Sequence, residues 1–139
     1  MHTFEWDGSL CIGHAEVDRQ HERFVGLAAR LAQVVDSGAR GEAVMRCLTE
    51  LYLYANQHFR DEEALLEQMN CPESGAHAGL HRDFVRRVDA MVDRCLSTGA
   101  PYGEVLDFLH TWLRGHILGE DARILGKDAR ILGAGQGQP

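Results

Sequence analysis

His77-Ala78-Gly79-Leu80-His81 is the stretch from which the rest of the chain can be read. Two imidazoles four residues apart leave one face of a helix, one above the other. Alone the pair is a weak signal, because His is the commonest metal ligand and also an ordinary polar residue. Its weight comes from the seam it opens. His77, His81, Phe84, Val88, Met91 and Cys95 recur in alternating steps of four and three, the stripe of an amphipathic helix over residues 74–96.

The same stripe recurs on both sides. Upstream, a helix over 41–69 carries Val44, Leu48, Leu51, Ala55, His58, Glu62, Leu65 and Met69, and Asn70-Cys71-Pro72 breaks it. Before it, a helix over 17–36 carries Val17, His21, Phe24, Ala28, Leu31 and Val35, and Ser37-Gly38 supplies the stop. Downstream, Ser97-Thr98-Gly99 ends the third helix and Pro101 suits the first turn of a fourth, whose seam is Val105, Leu109, Trp112 and His116. No Val/Ile/Thr-rich alternating run suggests a strand. The pattern predicts an all-α fold, an up-down-up-down antiparallel four-helix bundle packed at about +20°.

Length suits a single domain spanning 1–139. Residues 1–16, with Phe4, Trp6, Gly8 and Gly13 in no clear period, read as an extended arm docked by its aromatics. The bundle occupies 17–121, and 122–139 form a C-terminal extension. There, Asp121-Ala-Arg-Ile-Leu-Gly-Lys127 is followed by Asp128-Ala-Arg-Ile-Leu-Gly-Ala134, a tandem repeat. It either continues the fourth helix or forms a short extra one, and reads as a duplication on the surface. The last residues, 136–139, are expected to fray.

Charge and composition exclude several classes. A net charge of −7 argues against nucleic acid or an anionic membrane as partner. No run approaches the roughly 20 apolar residues of a membrane-spanning helix. No early segment joins a basic start to an apolar run, so a signal peptide is not expected. Cys11, Cys47, Cys71 and Cys95 are scattered, without zinc-site spacing, and read as reduced thiols in a cytoplasmic protein.

Six ionisable residues, His21, His58, Glu62, His77, His81 and His116, occupy seam positions where a bundle wants Leu, Ile or Val. In an antiparallel bundle they all fall at one end. Each would cost several kcal/mol in an apolar interior without a partner. A metal centre removes that conflict, since it takes neutral imidazoles and ionised carboxylates as ligands. Imidazole with carboxylate suits iron, manganese, copper or zinc, and the lack of thiolate disfavours structural zinc or an iron–sulfur cluster. Five His with so few carboxylates suit two ions better than one. The ferritin-like Glu-x-x-His pair is absent, because no Glu has a His three residues later.

The order His21, then His58-Phe-Arg-Asp-Glu62, then His77-Ala-Gly-Leu-His81, then His116-Ile-Leu-Gly-Glu-Asp121 resembles the hemerythrin family over about residues 4 to 121. Val17-Asp-Arg-Gln-His21, His58-Phe-Arg-Asp-Glu-Glu63 and Trp112-Leu-Arg-Gly-His-Ile117 carry the same likeness. The resemblance implies two iron ions with an oxo or hydroxo bridge. It assigns His77, His81 and His116 to one iron, His21 and His58 to the other, and Glu62 and Asp121 to the bridge. It further implies O2 held as hydroperoxide on the iron with two His, in a cavity lined by Phe24, Phe59, Trp112, Leu113 and Ile117. Asp121 lies five residues after His116, about 140° round a regular helix; a π-type turn near Gly119 would bring it onto the site. Glu120, at the usual spacing of four, is the rival carboxylate.

His2, His14 and His110 match no ligand position and read as surface groups; Asp18 and Asp107 are not expected among the ligands. The expected function is reversible O2 binding for carriage, storage or delivery by a monomer. The alternative is an O2- or redox-sensing domain of a parent receptor. A di-iron oxidase, a peroxidase or a nitric oxide-handling protein ranks last, because no free acid, base or nucleophile is evident beside the metals. The chain is therefore expected not to be an enzyme.

Overall fold

The structure, a computed structural model, describes residues 4–39 and 41–126. Four long helices dominate: α1 (Ala15–Asp36), α2 (Glu42–Gln68), α3 (Ser74–Thr98) and α4 (Gly103–Gly115). A π-helical turn, His116–Asp121, carries α4 without interruption into the short α5 (Ala122–Leu125). Among the described residues there is no strand. No helix is long and apolar enough to cross a membrane.

Burial follows the seams. Val17, His21, Phe24, Ala28 and Leu31 of α1 are buried, as are Val44, Leu48, Leu51, Ala55, His58 and Glu62 of α2, and His77, His81, Phe84, Val88 and Cys95 of α3. The buried stripe is wider than a strict seam, taking in Val25, Leu27, Cys47, Phe59, Leu66 and Val92 as well. Each fully buried large apolar side chain contributes about 1.5–3 kcal/mol. Met69 departs from the expectation: it caps α2 and is 45% exposed, because the chain leaves the helix there.

Neighbouring helices meet in the order α1 with α2, α2 with α3, α3 with α4, and α4 back on α1. The cross-helix pairs tie specific levels. Arg30 lies 3.7 Å from Glu50, while Gln20 bonds Asp61 at 3.4 Å. The Tyr52 hydroxyl donates to Asp89 at 2.5 Å, while His81 meets Glu63 at 2.8 Å. Arg94 pairs with Glu104, while His81 faces His116 at 3.1 Å.

Element ends differ from the sequence expectation for local reasons. α1 begins at Ala15, because the His14 Nδ1 accepts the Val17 N–H and caps the helix. His14 is accordingly half-buried rather than a plain surface group. The segment before it is not simply extended. Asp7 accepts the Ser9 N–H and starts a 3-10 turn at Gly8–Leu10, and Leu10 and Ile12 are buried. The Asp18 carboxylate accepts the N–H groups of Ile12 (2.8 Å) and Gly13 (3.2 Å), pinning this segment to α1. Phe4 and Trp6 do pack on the core, as expected. α4 begins at Gly103, so Pro101 stands just ahead of it. Gly99, at φ 72°, ends α3 in the left-handed conformation that glycine takes without strain.

The first copy of the tandem repeat is not a surface feature. Asp121, Ile124, Leu125 and Gly126 are all buried, so this copy completes the core at the end of the helix. The second copy, like His2 and the C-terminal tail, lies outside the described residues.

Candidate metal centre

All seven expected ligand residues meet at one end of the helices. His21 comes from α1, His58 and Glu62 from α2, His77 and His81 from α3, and His116 and Asp121 from the π turn. None is more than 6% exposed. Their ligand atoms form two overlapping groups, each with all atoms within 4.8 Å of one another: Glu62, His77, His81, His116 and Asp121; and His21, His58, Glu62 and Asp121. The two carboxylates belong to both.

Each carboxylate turns one oxygen to each group. Glu62 Oε1 lies 2.5 Å from His77 Nε2 and 3.2 Å from His81 Nε2, while Oε2 lies 3.4 Å from His58 Nε2 and 3.7 Å from His21 Nε2. Asp121 Oδ1 lies 2.9 Å from His77 Nε2 and 3.1 Å from His116 Nε2, while Oδ2 lies 2.9 Å from His21 Nε2. The centre therefore has a three-imidazole half and a two-imidazole half.

Asp121 reaches the centre because the helix widens. The π turn spans His116–Asp121, and in that geometry residues five apart share a face. Glu120 turns outward and accepts from Arg123 at 2.9 Å. The same guanidinium bonds both oxygens of Glu73 at 2.8 Å, tying α5 to the start of α3.

Two residues not singled out in the sequence settle the tautomers. His58 Nδ1 lies 2.6 Å from Gln20 Oε1. The Gln20 amide nitrogen donates to Glu16 (3.0 Å) and Asp61 (3.4 Å), so its carbonyl is the atom facing His58 and must accept. His81 Nδ1 lies 2.8 Å from Glu63 Oε2, and a carboxylate accepts. Both rings carry the proton on Nδ1 and aim the Nε2 lone pair inward, the arrangement usual for metal-binding imidazoles. The clue in sequence was adjacency: Gln20 precedes His21 and Glu63 follows Glu62.

The donors converge on a point more than they bond one another. His81 Nε2 and His116 Nε2 face each other at 3.1 Å, and with His81 protonated on Nδ1 its Nε2 can only accept there. Both nitrogens of His21, Glu62 Oε2 and both oxygens of Asp121 are buried without a properly directed hydrogen bond, although their contacts are close. Buried polar atoms without partners are costly and rare. Cations placed among them would satisfy His21 Nε2, Glu62 Oε2 and both oxygens of Asp121. The donor set fits metal.

The protein field ionises both carboxylates and, without metal, favours protons on three of the imidazoles. Burial works against an imidazolium at His21, but Asp121 and Glu62 outweigh it and hold the group at about 9. At His77 the same opposition ends at about 10, and His116 is also raised. Burial dominates at His58, pushing it to about 4. Burial also pushes the two carboxyls up, yet the surrounding imidazoles prevail: Asp121 is held at about 2, and Glu62 lies well below the carboxylate range. Without metal, protons on His21, His77 and His116 face the two carboxylates, and metal would take the place of those protons.

Aromatic rings of the apolar core pack against the centre. Phe59 stacks on His81 with centroids 4.0 Å apart, and Trp112 on His116 at 4.2 Å. Phe24 meets His58 edge-on at 6.0 Å. Phe24, Phe59, Leu113 and Ile117 are buried; Trp112 is half-buried. Leu113 and Ile117 also line a second cavity of about 260 Å³ together with Phe4 and Leu10. His110 is exposed, against Phe4, and Asp18 and Asp107 are not members of the cluster.

A helical bundle with buried imidazoles on three helices and on the π turn after the fourth, and two shared carboxylates, defines a class of metal-binding helical proteins. The chain matches the hemerythrin HHE cation-binding domain over residues 13–127. It is 31% identical over 121 residues to a bacteriohemerythrin of Stenotrophomonas maltophilia (strain R551-3), covering 87% of this chain and 78% of that one. It is 33% identical over 118 residues to a bacteriohemerythrin of Pseudomonas aeruginosa (strain LESB58), covering 84% and 76%. It is also 29% identical over 120 residues to a hemerythrin-like protein of Naegleria gruberi, covering 86% and 89%. This protein belongs to the hemerythrin family.

Proposed function

We propose that this chain binds O2 reversibly at a pair of iron ions, for carriage, storage or delivery. The carrying observation is the sharing of Glu62 and Asp121, each with one oxygen toward three imidazoles and the other toward two. Two metals bridged by two carboxylates account for that division. Imidazole and carboxylate donors without thiolate suit iron, and the family supports the same choice.

In this reading His77, His81 and His116 would hold one iron, His21 and His58 would hold the other, and Glu62 and Asp121 would serve both. The half with His21 and His58 offers fewer protein donors, which would leave room there for O2. When bound, a pair of ferrous ions would supply the two electrons that reversible O2 binding needs. The residues do the rest. Gln20 and Glu63 fix two imidazoles in the ligating tautomer. Phe24, Phe59, Trp112, Leu113 and Ile117 would line the O2 pocket and exclude water, which favours reversible binding. The function proposed is binding rather than catalysis: both carboxylates at the centre, and Glu63 beside it, already face imidazoles.

The scaffold belongs to the same proposal. Cross-helix pairs run in opposite sequence order between α1 and α2 (Arg30 with Glu50, Gln20 with Asp61), α2 and α3 (Tyr52 with Asp89, Glu63 with His81) and α3 and the α4 end (Arg94 with Glu104, His81 with His116), which supports an antiparallel up-down-up-down bundle in one domain. Cys11, Cys47, Cys71 and Cys95 remain free thiols, which suits a reducing cytoplasm.

The test is optical. Protein loaded with ferrous iron without air is mixed with O2, its absorption recorded, and the solution purged with inert gas. A band that appears and vanishes over repeated cycles supports O2 binding. Irreversible passage to a stable ferric spectrum in one step would refute it.

A further inference from the structure

We infer that Glu63 is a positioning residue that makes the two halves of the centre electronically unequal, acting through His81. The inference rests on the two-iron reading above. Two imidazoles, one in each half, donate their outer N–H to a side chain of the protein. His58, in the two-imidazole half, meets the neutral amide of Gln20 at 2.6 Å. His81, in the three-imidazole half, meets the carboxylate of Glu63 at 2.8 Å.

The chemistry of the two acceptors differs. A carboxylate accepting an imidazole N–H forms a charge-assisted bond, draws the proton outward and leaves Nε2 richer in electrons. An amide carbonyl does this far less. The half with His77, His81 and His116 thus has more imidazoles and also the more strongly donating one, so its metal is the better held in the higher oxidation state. The half with His21 and His58 is left the weaker donor set.

The surroundings allow the carboxylate this task. The ring of His81 is locked face to face against Phe59, so it cannot turn away from Glu63. Glu63 is 32% exposed and shares the wall of a cleft of about 500 Å³ with Arg60, Arg82 and Arg86. It carries charge at the rim, while its bond reaches a ligand ring that is 1% exposed.

The test uses the full chain loaded with iron, and four proteins: the parent, E63Q, E63A and E67Q. E63Q keeps an acceptor for His81 and removes the charge; E63A removes both. E67Q removes a charge from an exposed site one turn further along α2 without touching His81. Three quantities are read: iron per chain, the midpoint potential in an anaerobic optical redox titration, and the rate of iron loss to a chelator. Expected are two irons per chain in all four, a raised midpoint potential in E63Q and a larger rise in E63A, with iron lost about tenfold faster from E63A. E67Q should stay at the parent value. Potentials for E63Q and E63A that equal those of E67Q would overturn the inference while leaving the two-iron reading intact. Were E63Q not to fold, E63A against E67Q would decide it on the same terms. A parent that holds no iron would overturn both readings together.

Discussion

Asp121 Oδ1 lies 3.1 Å from His116 Nε2, five residues earlier on one continuous helix. In a regular α-helix those side chains diverge by about 140°. Here the π turn brings both onto one face, and the neighbouring Glu120 is left outside with Arg123. A local widening of the helix thus chooses which of two adjacent carboxylates enters the centre.

That choice is directly testable. Asp121→Ala should lower iron below two per chain and weaken retention by more than about 100-fold, beyond what loss of an outer partner produces. Glu120→Ala should leave iron content unchanged. Metal analysis of both purified variants checks this, and equal losses would contradict the assignment.

His77 contacts both carboxylates, at 2.5 Å from Glu62 and 2.9 Å from Asp121. His77→Ala should therefore lose iron and also destabilise the bundle. Removing one partner from a buried charged group costs about 3–5 kcal/mol. Denaturant unfolding of the metal-free variant against the metal-free parent measures the second effect separately from the first. Unchanged iron content would show that His77 is not a ligand.

The metal-free protein should lose stability as pH rises through the alkaline range. His21 and His77 are raised from 6.5 to about 9 and about 10, so the folded state holds protons there that the unfolded state has released. Their contribution is complete below pH 6.5 and gone above about 10. Asp121, lowered from 3.8 to about 2, contributes above pH 3.8 and loses its share as pH falls through about 2. Melting curves in excess chelator at pH 6.5, 8 and 10 should show a falling midpoint. The iron-loaded protein, whose imidazoles are already deprotonated, should lack that decline.

Away from the centre, Leu109 is fully buried in α4. Leu109→Ala should cost about 2–5 kcal/mol by lost burial and a cavity. Iron per chain should not change, because the ligands lie on other levels. Denaturant titration and metal analysis on the same sample check both statements.

Helix number and seams were legible because burial in a bundle imposes a 3.6-residue period on apolar side chains. His77 and His81 sat in such a seam with Phe84 and Val88, which is why they stood out as polar residues in apolar places. The first repeat copy was misread for the opposite reason. Its short Asp-Ala-Arg-Ile-Leu-Gly pattern holds too few turns to show a period, so burial of Ile124 and Leu125 was invisible. The start of α1 was missed because the cap at His14 depends on one Nδ1 contact with Val17, not on any seam residue.

The sequence by itself determined the helices, the set of His and carboxylate residues in their seams, and the family they resemble, since all three are properties of residue order. Tertiary structure alone decided how the oxygens of Glu62 and Asp121 divide between the imidazoles and which Nδ1 atoms meet Gln20 and Glu63. It alone fixed the stacking of Phe59 and Trp112 on His81 and His116. These are contacts between residues far apart in the chain, and directional bonds of about 3 Å depend on the relative placement of whole helices, which no local spacing encodes.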